Sequence, residues 1–114
     1  MKKILLAEDE LMLASMYKTK FEKEGYEVTL AFNGKEALEK FDNHDLVTLD
    51  IIMPKLDGFA VLKELRKITN VPILILTNIP DEKEKGLRLG ATDYLYKGDY
   101  TPSGVLEKIK QNVI

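Results

Sequence analysis

The chain has no cysteine and no tryptophan, and His44 is its single histidine. Without cysteine there are no disulfides, thiolate metal sites or cysteine nucleophiles, and the composition suits a reducing compartment. No apolar run approaches the roughly 20 residues that a membrane span requires. The opening Met1-Lys2-Lys3-Ile4-Leu5-Leu6-Ala7 is too short in its apolar part for a secretory leader, and Glu8-Asp9-Glu10 interrupts it at once. An excess of one charge is lacking as well. Lys and Arg number 17 against 19 Asp and Glu, a net charge of −2. So even a balance gives no electrostatic case for nucleic acid or a membrane surface. Neither Gly-x-Gly-x-x-Gly nor a Walker-type loop occurs, so a nucleotide site has no motif behind it. His44 lies in a turn and is expected at the surface, with no metal or phosphohistidine role. The expectation is a cytoplasmic protein with no membrane contact and no direct nucleic-acid partner.

The 114 residues, 45% of them apolar, suffice for one domain with its own core. Strand-like and helix-like segments alternate. Ile4-Leu5-Leu6-Ala7 reads as a buried parallel strand. Leu11 to Glu24 follows with Leu13, Met16, Tyr17 and Phe21 near helical spacing, and Gly25 stops it. Glu27 to Ala31 is a second strand. Asn33-Gly34-Lys35-Glu36 resembles a capping box that opens a short helix through Ala37, Leu38 and Phe41. Leu46-Val47-Thr48-Leu49 is a third strand ending on Asp50. Phe59 to Lys67 is a helix with Val61, Leu62 and Leu65 inward. Ile73-Leu74-Ile75-Leu76 is the most continuous apolar strand. Pro80-Asp81 opens a charged helix that ends near Leu89-Gly90, and Tyr94-Leu95-Tyr96 is the fifth strand. Thr101-Pro102 caps a last helix with Val105, Leu106, Ile109 and Val113 on one face. Five successive βα units imply an α/β fold, a parallel sheet covered by helices on both faces. No repeat or interdomain linker is visible. One domain over residues 1–114, with no output domain, is therefore expected.

In an open α/β sheet, ligands bind beyond the carboxyl ends of the strands. Strand one ends on Glu8-Asp9, with Glu10 just after. Strand three ends on Asp50, strand four on Thr77, and strand five just before Lys97. Carboxylates that converge repel one another, and a divalent cation relieves that repulsion. Oxygen-only donors without His or Cys favour Mg²⁺, which keeps several waters and uses one or two carboxylates. A carboxylate in such a place can attack a phosphoryl group and form an acyl phosphate. Lys97 would add positive charge, and Thr77 can donate to a phosphoryl oxygen. Each residue alone has a plainer reading. Glu8 and Asp9 can cap the first helix, and Asp57 can cap the third. Thr77 can be an ordinary strand-end threonine, Lys97 a surface lysine, and one of Tyr94 and Tyr96 simple packing.

The segments Ile4 to Glu10, Leu49 to Gly58, Ile75-Leu76-Thr77, Gly90 to Leu95, and Lys97 together resemble the receiver domains of bacterial two-component response regulators. The block Asp50-Ile51-Ile52-Met53-Pro54-Lys55-Leu56-Asp57-Gly58 carries most of the resemblance, which extends over essentially the whole chain. It implies a single doubly wound, flavodoxin-like (βα)5 domain with strand order 2-1-3-4-5. It also implies roles. Asp50 would be the phosphoacceptor. Asp9 and Asp50 would hold Mg²⁺ directly, with Glu8 close by or acting through water and the backbone carbonyl of Ile52 as a further ligand. Lys97 would pair with the phosphoryl group or with Asp50. Thr77 and Tyr94 would be the switch residues. The donor would be a histidine kinase or a histidine phosphotransfer protein. The chain would catalyse only its own phosphorylation and slow dephosphorylation, and signal to a downstream protein or by phosphorylation-dependent homodimerisation. A phosphorylation-independent interaction module on the same fold is the alternative. Three features depart from the family. Gly98 follows Lys97 where proline, often after a cis bond, is usual, so either a trans bond or an unusually mobile loop from Lys97 to Tyr100 is expected. Asn78 stands where a very small residue is usual. The segment from Thr77 to Tyr94 is slightly short.

Overall fold

The computed structural model describes residues 1–113. Among them, β1 (Lys3–Ala7), β2 (Glu27–Ala31), β3 (Leu46–Leu49), β4 (Ile73–Thr77) and β5 (Asp93–Tyr96) form one parallel sheet in the order β2-β1-β3-β4-β5. The helices α1 (Leu11–Lys23), α2 (Gly34–Lys40), α3 (Gly58–Arg66), α4 (Lys83–Arg88) and α5 (Pro102–Asn112) connect and follow the strands. The expected α/β class and strand order are both found.

The burial pattern explains the sequence pattern. Every residue of the central strands β3 and β4 is buried, which is why they read as continuous runs. The edge strand β2 is only partly buried. Side chains alternate between two layers. Leu5, Val47, Leu49, Ile73 and Ile75 pack with Val61, Leu62 and Leu65 of α3 on one face. Ile4, Leu6, Leu46, Leu74 and Leu76 pack with Tyr17 and Phe21 of α1 and Val105, Leu106 and Ile109 of α5 on the other.

Local chemistry sets several helix starts. Asn33 Oδ1 accepts from the Glu36 N–H at 2.8 Å, and Glu36 Oε1 reaches back to the Phe32 N–H at 3.0 Å. The capping box is therefore present, with its return bond one residue earlier than the usual partner. Asp57 caps α3 through the Ala60 N–H, and Thr101 caps α5 through the Gly104 N–H. The Arg66 guanidinium ends α3 by bonding the carbonyls of Gly90 at 2.8 Å and Val71 at 2.7 Å, which fixes the turn before β5.

Three local expectations are corrected. Met16 is 38% exposed, and Ala14 takes the inward place beside Tyr17, because the α1 stripe is narrower than its apolar content. The fourth helix begins at Lys83 rather than at Pro80-Asp81. The backbone before it is held by the Tyr94 hydroxyl, which bonds the Ile79 carbonyl. His44 is 4% exposed, not a surface residue. Its Nδ1 accepts from the Asp42 N–H at 3.0 Å and its Nε2 lies 3.0 Å from Thr29 Oγ1. A polar turn residue can be buried when both ring nitrogens have partners.

Candidate functional site

The strand parity decides which side chains meet. Leu6 of β1 is the register partner of Thr48 of β3. Two residues further along each strand, Glu8 and Asp50 come off the same face as neighbours. The ladder continues through this point, with the Glu8 N–H on Ala31 O at 2.9 Å and the Asp50 N–H on Ala7 O at 3.1 Å. Lys97 follows Leu95 by two residues and shares that face. Its ammonium bridges both acids, donating to Glu8 Oε1 at 2.5 Å and to Asp50 Oδ2 at 3.0 Å. The Lys97 side chain is only 9% exposed, so the surface-lysine reading is excluded.

Every other oxygen of this pair of acids faces a donor or the cleft. Glu8 Oε2 accepts from the Glu10 N–H at 3.2 Å, and Asp50 Oδ1 from the Ile52 N–H at 3.3 Å. Burial pushes the Glu8 carboxyl above its ordinary range, with Asp50 adding to it against the Lys97 bond. Burial also pulls on Lys97, but its bond to Glu8 and the charge of Asp50 outweigh that and hold its pKa above the usual lysine value. The two directions have different causes: burial disfavours the charge on Glu8, while the neighbouring carboxylates favour the charge on Lys97.

Asp9 sits at the exposed mouth of the same cluster. Carboxylate oxygens of Glu8, Asp9 and Asp50 lie within 4.8 Å of one another. They line a cleft of about 160 Å³ together with Glu10, Ile52, Asn78 and Lys97. Three hard oxygen donors on an open cleft fit a small divalent cation that keeps part of its water shell. The α1 N-cap is Glu10, whose own side chain makes no cap bond, and Glu8 Oε2 reaches the N–H of that N-cap residue.

Four of the predicted residues, Glu8, Asp9, Asp50 and Lys97, are thus brought together. Ile52 lines the cleft with its side chain 61% exposed. Thr77 is different: it is 0% exposed and its Oγ1 accepts from the Ile79 N–H at 3.4 Å, while Asn78 lines the cleft. Tyr94 is on the opposite face of the sheet from Asp50, 5% exposed, with its hydroxyl on Ile79 O. Among the described residues no peptide bond is cis, so Lys97-Gly98 is trans, the first of the two expectations for it. Sequence reasoning took Tyr17 for core alone. Its buried phenol has its pKa pushed up by burial and also feels the charges of Lys97, Glu8 and Asp50. No sequence signal separates such a tyrosine from any other on an apolar helix stripe.

The loop that carries Asp50 is held tightly on both sides. A Cβ at Gly58 would strike the Asp50 carbonyl oxygen and come 2.7 Å from Ile51 Cα. A Cβ at Gly34 would strike the Leu56 carbonyl oxygen. These two glycines allow the backbones of α2 and α3 to close on the loop.

Known proteins share this fold. The sequence model of the response regulator receiver domain matches residues 4–110. A probable transcriptional regulator, ycf27, of Cyanophora paradoxa is 42% identical over 113 residues, covering 96% of this chain and 47% of that protein. The chain spans about half the length of such curated relatives. The receiver domain of Francisella response regulator 1452 superposes with a TM-score of 0.90 at 37% identity, covering 99% of this chain and 97% of that one. The Thermotoga maritima response regulator TrrA, solved in complex with Mg²⁺-BeF, superposes with a TM-score of 0.88 at 37% identity over 97% and 98% of the two chains. With the sheet order, the acid cluster and these matches together, the chain belongs to the receiver domain family of two-component response regulators.

Proposed function

We propose that the chain is a phosphoacceptor switch that receives a phosphoryl group on Asp50 from the phosphohistidine of a histidine kinase or histidine phosphotransfer protein. The observation that carries this reading is the Lys97 ammonium bonded to both Asp50 and Glu8, with Asp9 in the same cluster. A surface that served only to dock a partner would gain nothing from that cluster. Replacing buried ionic groups by apolar ones is often neutral or stabilising. This counts against a phosphorylation-independent module.

In the transfer, an Asp50 carboxylate oxygen attacks phosphorus, a P–O bond forms, and the P–N bond breaks. The imidazole leaves with the bond's electron pair and takes a proton. Little covalent help is needed from the protein, so positioning and charge carry the rate. Lys97, bonded to Asp50 at 3.0 Å, would pass its ammonium from that carboxylate to a phosphoryl oxygen. Asp9 and Asp50 would hold Mg²⁺ directly, with Glu8 nearby or through water and the Ile52 carbonyl as a further ligand. Bound Mg²⁺ supplies neutralisation of the phosphoryl charge. Thr77 would turn its hydroxyl from the Ile79 N–H toward the phosphoryl group.

The new group adds about −1.5 to −2 charge units beside these residues. The response would travel through Thr77 and Tyr94 to the surface of α4, β5 and α5. There it would alter contacts with a downstream protein or a second copy of the chain. The protein turns over no separate substrate in this reading. It catalyses its own phosphorylation and slow dephosphorylation, in the cytoplasm, with no direct nucleic-acid contact by these residues. Transcriptional control of the kind named for the longer relatives would belong to the whole protein.

The test is intact mass after incubation with Mg²⁺ and acetyl phosphate. Wild type should gain one phosphoryl group, and Asp50→Asn none. No gain on wild type, or an undiminished gain on the variant, overturns the assignment.

A further inference from the structure

Gly86 lies inside the six-residue helix α4 and is buried there. Glycine is a poor choice for a helix interior, because it loses the most conformational freedom on folding. Space is the reason it is there. A Cβ at this position would come 2.8 Å from Ile75 Cδ1 and 3.1 Å from Cδ2 of the Tyr94 ring. Ile75 and Tyr94 are register partners on β4 and β5, so the two obstacles are a single packed unit. The Tyr94 ring in turn is tied at its far end. Its hydroxyl donates to Ile79 O at 2.5 Å. The Ile79 N–H donates to Thr77 Oγ1.

We infer that Gly86 is a positioning residue, whose missing side chain seats Tyr94 inward and so couples α4 to the loop that begins at Thr77. The seat lies between α4 and the sheet, and a Cβ at residue 86 would have to displace Ile75 Cδ1 and push the Tyr94 ring by a few tenths of an ångström. With the ring seated, α4, the Ile79 carbonyl and the Thr77 hydroxyl form one continuous path. With the ring expelled, the hydroxyl leaves Ile79 and that path is cut. The consequence for signalling rests on the phosphorylation reading; the packing lock does not.

The test is a cycle of four proteins: wild type, Gly86→Ala, Tyr94→Ala, and the double variant. Urea midpoints are measured for all four. Tyrosine is replaced by 3-fluorotyrosine for fluorine NMR, with Tyr94→Phe to assign the Tyr94 resonance. On the wild-type background, Gly86→Ala should lower the midpoint by about 0.5–1 M urea. It should also move the Tyr94 resonance toward that of an exposed tyrosine. On the Tyr94→Ala background the emptied space beside Ile75 lets its Cδ1 turn aside. There the same substitution should leave the midpoint unchanged or raise it, because alanine favours the helix. Equal midpoint shifts on both backgrounds, or an unmoved Tyr94 resonance, overturn the inference. A Gly86→Ala protein that folds only together with Tyr94→Ala is the strongest form of the expected result. Failure of both to fold overturns the lock. Asp50 labelling by acetyl phosphate, read on the same proteins, separates the two ideas. If wild type takes no label, the phosphorylation reading falls while the packing result stands.

Discussion

At the scale of single residues, the site is built around one ammonium. Lys97 holds two carboxylates that would otherwise face each other across a buried sheet edge. Removing one partner of a buried pair costs up to about 3–5 kcal/mol, and this cleft is open to water on the Asp9 side. Lys97→Met should therefore destabilise the Mg²⁺-free protein by a smaller amount, about 1–3 kcal/mol. The same variant should bind Mg²⁺ more tightly than wild type, since the competing cation is gone. A ligand bound only to the folded state raises stability as its concentration passes its dissociation constant. Saturating Mg²⁺ should then return much of the loss. Urea titrations with and without Mg²⁺ would read this, and a loss that Mg²⁺ leaves untouched would refute it. Asp50 and Lys97 were legible as candidates because their chemistry is unusual at strand ends. Tyr17 was not legible, because its phenol feels the charges of the cluster only once α1 is laid on the sheet.

At the scale of elements, the segment from Asp50 to Gly58 is the most constrained. Lys55 holds a φ of 71° there, in the left-handed region that disfavours a side chain. Lys55→Gly relieves that strain but adds freedom to the unfolded chain. The net expectation is a gain of about 0.5–1 kcal/mol. It would appear as a higher urea midpoint with an unchanged slope, and a lower midpoint would count against the strain. The helix starts at Asn33, Asp57 and Thr101 were readable because capping is local chemistry. The start of α4 was not. Its N-cap, Glu82, makes no side-chain cap bond, and a tyrosine from another strand holds the backbone ahead of it.

At the scale of the whole molecule, His44 ties global stability to pH. It is buried between neighbours on β2 and the turn before β3, and burial pulls its pKa below the ordinary histidine value. Lys3 adds to that shift, while Asp42, Glu27 and Asp45 oppose it. The unfolded chain thus takes up this proton more readily than the folded one. The neutral ring's contribution is complete above an unfolded pKa of about 6.5, and it is lost as the pH falls from there toward the lower folded value. Protonation also costs the bond from the Asp42 N–H, since Nδ1 is then a donor. The urea midpoint of wild type should fall more than that of His44→Gln between about pH 7.5 and 5.5. Equal slopes would show that His44 is not the group responsible.

The sequence by itself determined the fold class, the strand ends and the acid, hydroxyl and amine types placed on them. Those follow from local periodicity, from capping and from an ordered set of short motifs. Only the tertiary structure decided which of these groups touch. Register put Glu8 beside Asp50, and the parity of β5 sent Lys97 between them. The same packing turned Thr77 toward Ile79, buried His44, and set Tyr94 against a glycine. The physical reason is that contacts between strands distant in the chain depend on pairing and side-chain volume together, and neither is written in any one segment. Asp50 was visible as a carboxylate at a strand end. Its pairing with Lys97 was already implied by the resemblance, but the bond that Lys97 makes to Glu8 at the same time became visible only when the sheet was assembled.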